Sequence, residues 1–278
     1  MSWLDRFDHW ALTLAIFVPA AGALVCMLWP RKNETGVKVV ALLSSLVALG
    51  LGVYIFARAI LSAGDIPDVV GAVGAIAATI TLVYAFAMYL PQQDLKLLLV
   101  YSTIAQLAYI FLALSLSTFG SYLAFTAGIA HIFNHAFAKS LFFLVSGSLS
   151  FTTGTRRLPL LQGILARMPL VGISFGVAAM AIAGVPPMNL FFSKFALFAG
   201  GFQVSHAHLL LLPLVLIAIL ESVGTFGWFL MRFGRAVPGE PSATIAGATP
   251  LPRSMALVLI ALVAVTLCSG MAAPAWLG

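Results

Sequence analysis

Charge is what this 278-residue chain lacks: only 8% of its residues are Asp, Glu, Lys or Arg, against about 25% in a soluble globular protein. With 14 basic and 8 acidic side chains, a water-facing surface of this size cannot be solvated. A soluble enzyme, a nucleic-acid binder and a disordered tail are all excluded. The formal net charge of +6 would suggest nucleic acid only if the basic residues formed a patch, and they sit instead in short loops between apolar runs. Cysteine is equally scarce. Cys26 and Cys268 both lie inside apolar runs and offer neither metal-ligand spacing nor a disulfide framework. No alternating ten-residue pattern is present, so a transmembrane β-barrel is excluded as well.

What is present is hydrophobicity: 62% apolar residues and a mean hydropathy of +1.10. A bilayer core about 30 Å thick needs roughly 20 apolar residues per helix. On that scale the sequence predicts an all-α integral membrane protein with eight crossings, near 10–30, 36–58, 68–90, 95–117, 121–150, 166–203, 207–232 and 253–273. The first could be mistaken for a signal peptide, but its flank (Asp5, Arg6, Asp8) is not net positive and no small-residue cleavage site closes the run. The sixth is twice the usual length and contains Gly184-Val185-Pro186-Pro187. Adjacent prolines remove two helical donors and clash with the preceding turn, so this crossing reads as two half-helices around a broken centre.

Basic residues test the count. With eight crossings, one side receives Arg31, Lys32, Lys38, Lys96, Arg156, Arg157, Arg167, Arg232, Arg235 and Arg253, and the other only Arg6 and Arg58. Missing one crossing would destroy that bias. The basic side is therefore expected to be cytoplasmic, with both termini outward. Trp10, Trp29 and Trp276, near span ends, fit an interfacial belt.

Five ionisable residues remain inside spans: His131, His135, Lys139, Lys194 and Glu221. A charged side chain at the bilayer centre costs at least about 2.5–3.5 kcal/mol. His131, His135 and Lys139 stand at i, i+4 and i+8, which places them on one helical stripe roughly 12 Å long. Helix–helix hydrogen bonding, haem ligation and a proton relay are three readings of that stripe. Two histidines on one helix cannot grip opposite faces of one haem, whereas a neutral imidazole can accept on one nitrogen and donate from the other. Lys194 follows the Pro186-Pro187 break by seven residues, too deep to snorkel to the surface. Backbone broken at membrane depth is tolerated beside a water-filled cavity. Glu221, 11 residues before Arg232, lies near the midplane and could pair with Lys194 or Lys139, either for ion movement or only to lock packing.

These residues also carry a resemblance. Asp94-Leu95-Lys96-Leu97-Leu98-Leu99-Val100-Tyr101-Ser102-Thr103-Ile104, then His131-Ile132-Phe133-Asn134-His135-Ala136-Phe137-Ala138-Lys139, then Gly184-Val185-Pro186-Pro187 with Phe192-Ser193-Lys194, and finally Leu220-Glu221-Ser222 with Arg232 resemble four ordered motifs of one family. It comprises the antiporter-like subunits of respiratory complex I, membrane-bound (group 4) hydrogenases and Mrp cation/proton antiporters. The likeness covers about 68–235 and is specific, because four motifs occur in order.

The resemblance implies two inverted five-helix repeats in full-length relatives. Here it accounts for two leading helices over 1–67, the second repeat over 68–235, and a loop with a closing helix over 236–278. The first repeat, with its own proton site, has no counterpart in this sequence. The resemblance further implies a proton-conducting subunit of a redox-driven pump. It also admits a cation/proton antiporter or ion-driven uptake component, and a non-conducting scaffold. Implied partners are other membrane subunits, one of which could supply the missing repeat, together with lipid and protons or Na+. No cofactor, metal or nucleic acid is implied for this chain. Two positions depart from the family pattern: Phe195 stands where some relatives place an acid, and Leu97 where an arginine is usual.

Overall fold

A computed structural model describes residues 68–272. The predicted spans 10–30 and 36–58, and with them Trp10, Trp29 and Trp276, lie outside the described residues. Over these residues seven long helices follow one another: α1 (Asp68–Tyr89), α2 (Leu95–Ser117), α3 (Tyr122–Thr153), α4 (Pro169–Ala183), α5 (Asn189–Ser205), α6 (Leu212–Ala236) and α7 (Arg253–Ala272). Short helical turns at Leu158–Leu160, Ile164–Arg167, Leu209–Leu211 and Ala243–Ala246 fill the connections. Among the described residues there is no strand, only an isolated bridge between Asp94 and Arg157.

The local chemistry explains the boundaries. Asp94 caps α2, its carboxylate accepting from Lys96 N at 2.8 Å and Leu97 N at 3.2 Å. The Ser121 hydroxyl caps α3 by accepting from Ala124 N at 3.1 Å, and Gly154, at φ 72°, ends it in the left-handed conformation. Among the described residues, five segments are long and apolar enough to cross a membrane: Asp68–Tyr89, Leu95–Ser117, Tyr122–Thr153, Leu209–Ala236 and Arg253–Gly270. Helix α4, with 15 residues, reaches only about 22 Å. It needs α5 to complete a crossing, as the Pro186-Pro187 reading expects.

Sorting of side chains matches lipid rather than water as the surroundings. Large apolar groups face outward (Val73, Ile80, Phe111, Leu220, Leu230), while small ones such as Ala75, Ala78, Ala105, Ala127 and Ala130 are buried between helices. The chain is a multi-pass, all-helical membrane protein.

Among the described residues the interior holds two separate apolar cores. One lies at the basic end, around Leu95, Leu99, Phe142, Val145, Phe175 and Phe229. The other gathers Leu82, Leu112, Leu116, Ala124, Leu197 and Val215 towards the opposite end. Helices α2, α3, α5 and α6 each run from one core into the other. Near the crossover each carries its buried polar residues: Ser102 and Gln106, His131 to Lys139, Ser193 and Lys194, Glu221 and Thr225. A polar layer is thereby held between two apolar plugs.

Candidate functional site

The break in the sixth crossing builds one side of this layer. Gly184 ends α4 at φ 76°; its N–H reaches Ala181 O at 2.9 Å and that of Val185 reaches Met180 O at 3.0 Å. A helix end leaves carbonyls without helical donors, and the Ile182 carbonyl is one of them. It accepts instead from Lys194 Nζ at 3.5 Å and from Gln106 Nε2 at 3.3 Å. The lysine is thus held by the backbone that the break exposes. Gly184 is required twice over. Its φ disfavours any side chain, and a Cβ there would come within 2.9 Å of Lys194 Cδ.

Asparagines tie the second half-helix to α3. Asn134 Nδ2 donates to Asn189 O at 2.9 Å and Asn189 Nδ2 donates to Asn134 O at 3.1 Å, while Asn189 Oδ1 accepts from Leu190 N at 2.9 Å. Helix α7 closes over the same loop, with Gly270 so near Pro187 that a Cβ would lie 2.4 Å from its carbonyl oxygen.

The stripe on α3 is buried throughout, His131 fully and Lys139 nearly so. Both ring nitrogens of His131 are engaged, Nδ1 with Ser193 Oγ at 2.9 Å and Nε2 with Gln106 Oε1 at 3.0 Å. An amide oxygen only accepts, so Nε2 carries the proton in that bond. The His131 and His135 rings lie parallel, 6.4 Å apart with a 6° interplanar angle. His135 Nε2 is buried and has no hydrogen-bond partner among the described residues. Lys139 Nζ donates to Ser102 Oγ at 2.5 Å. The three residues share one face, as their spacing predicts, but no direct hydrogen bond joins one to the next.

Lys194 Nζ also donates to Ser222 Oγ at 3.1 Å and lies 4.5 Å from the centroid of the Tyr109 ring. Glu221 does not form an ion pair with either lysine. Its Oε2 accepts from the Tyr109 hydroxyl at 2.5 Å, and its Oε1 accepts from Thr225 Oγ1 at 2.6 Å and Tyr89 at 3.3 Å. The Tyr89 and Thr225 hydroxyls also contact each other. Glu221 lies on the Lys194 side of the layer, since both groups meet Tyr109, whereas Lys139 is held by Ser102. Arg232 packs its guanidinium 5.3 Å from the Trp228 ring, further along α6.

The structure therefore brings His131, Lys194 and Glu221 around Tyr109, with Lys139 further along α3. The mediators Ser102, Gln106, Tyr109, Asn134, Asn189, Ser193 and Ser222 are not evident as site residues from charge alone. One signal exists: Ser102, Gln106 and Tyr109 at i, i+4 and i+7 mark a polar line along one face of α2. Among the described residues, no group of three or more His, Cys, Asp or Glu could hold a metal ion.

Comparison with known proteins agrees with this architecture. The family described as "NADH:quinone oxidoreductase/Mrp antiporter, TM" matches residues 2–220. NADH-quinone oxidoreductase subunit L of Pseudomonas aeruginosa is 34% identical over 256 residues, covering 89% of this chain and 40% of the relative. Na(+)/H(+) antiporter subunit A1 of Staphylococcus haemolyticus is 31% identical over 251 residues, covering 82% and 31%. A chain in the structure of the Mrp complex from Dietzia sp. DQ12-45-1b superposes with a TM-score of 0.69 at 20% identity, over 98% of this chain and 65% of that one. This chain spans less than half the length of those two curated relatives. On the family match and the shared fold, it belongs to the NADH:quinone oxidoreductase/Mrp antiporter membrane family and is an antiporter-like subunit.

Proposed function

We propose that the chain is a proton-conducting subunit of a redox-driven ion-pumping membrane complex of the NADH:quinone oxidoreductase or membrane-bound hydrogenase type. The carrying observation is the polar layer. Two lysines, two histidines and a glutamate are all at most 9% exposed at membrane depth, and His131, Lys139, Lys194 and Glu221 are held by hydroxyls, amides and a backbone carbonyl rather than paired charge to charge. A chain that needed only to pack would not retain that set at the insertion cost of charged groups. In this reading Lys194 and Lys139 exchange protons through His131, His135 and intervening water, and Glu221 responds to the charge on Lys194. Redox chemistry belongs to partner subunits. Residues 68–235 form the conducting repeat, residues 1–67 and 236–278 flank it, and the basic loops face the cytoplasm of a cell whose inner membrane holds the complex.

A second reading, a component of an Mrp-type cation/proton antiporter without electron transfer, is favoured by the likeness to Na(+)/H(+) antiporter subunit A1. Purification separates the two: redox subunits accompany the chain in the first case, small antiporter subunits in the second. Lys194→Met tests conduction itself. In membrane vesicles holding the assembled complex, coupled ion movement is expected to vanish while the chain still inserts, since losing a buried charge lowers the insertion cost. Lys194→Arg is expected to rescue poorly, because a guanidinium stays protonated. Undiminished ion movement in Lys194→Met would leave the scaffold reading in its place.

A further inference from the structure

Tyr109 is fully buried at the centre of the polar layer, and no charge pattern draws attention to it. Its ring face meets Lys194 Nζ at 4.5 Å and its ring centroid lies 5.9 Å from that of His131. Its hydroxyl oxygen lies 2.5 Å from Glu221 Oε2 and 2.7 Å from Ala218 O. We propose that Tyr109 is the positioning residue that couples Glu221 to Lys194, its hydroxyl switching acceptor as the glutamate gains or loses a proton. This inference rests on the ion-conducting reading above.

Proton counting supplies the mechanism. A carbonyl oxygen can only accept, and a tyrosine hydroxyl has one proton to give. Tyr109 therefore serves Ala218 O or Glu221, not both. With Glu221 ionised, the Tyr109 O–H donates to Oε2, a charge-assisted bond stronger than one to a neutral carbonyl. With Glu221 protonated, the carboxyl O–H donates to the Tyr109 oxygen, and Tyr109 turns its own proton to Ala218 O. No proton leaves the tyrosine in either arrangement. Only the direction of the bonds reverses.

The reversal reaches Lys194 by two routes. Ala218 and Ser222 stand one turn apart on α6, and Ser222 Oγ accepts from Lys194 Nζ at 3.1 Å. The second route is the Tyr109 ring itself, whose face attracts the ammonium. One side chain thus carries the state of an acid to a base with which it makes no salt bridge.

Tyr109→Phe is the discriminating change, because it keeps the ring against Lys194, His131 and Phe198 and deletes only the hydroxyl. Coupled ion movement by the assembled complex in vesicles should fall about tenfold or more, as loss of a charge-assisted hydrogen bond implies. In a Glu221→Gln background the same change should cost no more than about twofold, because the two groups act as one unit. Equal losses in both backgrounds would overturn the proposal.

Infrared difference spectra give a readout that packing alone would not move. The carboxylic-acid band that disappears in Glu221→Gln should lie at a hydrogen-bonded frequency in the unsubstituted complex and shift upward in Tyr109→Phe. Should the Phe variant fail to accumulate, a free-acid frequency in the unsubstituted complex is enough to reject the switch. Loss of ion movement in Lys194→Met with a normal Tyr109→Phe complex sinks this inference alone. Normal ion movement in Lys194→Met sinks the conducting reading beneath it.

Discussion

His131 and His135 share a residue type, a helix and a face, yet the fold treats them differently. His131 is fixed by Ser193 and Gln106, whereas His135 Nε2 has no protein partner among the described residues. His131→Ala would strand the buried Gln106 oxygen, at a cost of about 1–3 kcal/mol. His135→Ala deletes no observed hydrogen bond and should cost less in thermal stability. For ion movement the order should reverse. His135 lies one turn from both His131 and Lys139, within reach of either through one water. Its removal should therefore harm conduction more, and the double change should add little to His135→Ala alone. Both singles and the double, measured in vesicles, decide this, and clean additivity would mark independent packing sites.

Between Ala183 and Asn189 the chain leaves the helix, and the site depends on how that interruption is held. Gly184, the Asn134–Asn189 pair and the approach of Gly270 to Pro187 each fix one side of the loop. Gly184→Ala is the sharpest probe. It adds a methyl group at positive φ, a penalty of about 1 kcal/mol before any contact is considered. The methyl would also press on Lys194 Cδ, 2.9 Å away. The expected result is a lower melting temperature together with weakened ion movement. Gly154→Ala, at φ 72° with nothing within 4 Å of the added Cβ, is the control. It should share the backbone penalty and leave ion movement intact.

At the scale of the whole molecule, the testable feature is orientation. With native Cys26 and Cys268 replaced, a probe cysteine at Gly278 should react with a membrane-impermeant reagent added outside intact cells. A probe at Thr153, at the basic end of α3, should react only after permeabilisation. The reverse pattern would refute the assignment of the basic loops to the cytoplasm. Arg156 and Arg157 sit in the loop bound to the start of α2 through Leu95 N to Arg156 O at 3.0 Å and Leu158 N to Gln93 O at 2.8 Å. The Arg156–Asp94 ion pair at 3.7 Å is partly exposed and should contribute no more than about 1 kcal/mol.

Much of this architecture is legible in the residues alone. Apolar run length determines the helices at 68–89, 95–117 and 253–272, because a bilayer-spanning helix must satisfy its backbone internally over a set thickness. The paired prolines determine the break, because beyond a helix's first turn a proline withdraws a donor and clashes with the preceding turn. Helical periodicity puts His131, His135 and Lys139 on one face. Partners across helices are another matter. Whether Glu221 meets Lys139 or Lys194 depends on rotations and depths of α3, α5 and α6 that no single-helix pattern contains. Packing resolved it by inserting Tyr109 between carboxylate and ammonium and by leaving Lys139 to Ser102. Neutral mediators carry no charge cost that would make them conspicuous in an apolar run. Only the tertiary structure could decide which serine, glutamine or tyrosine holds which ionisable group, because short-range, directional hydrogen bonds form between residues as far apart in the chain as Tyr109 and Glu221.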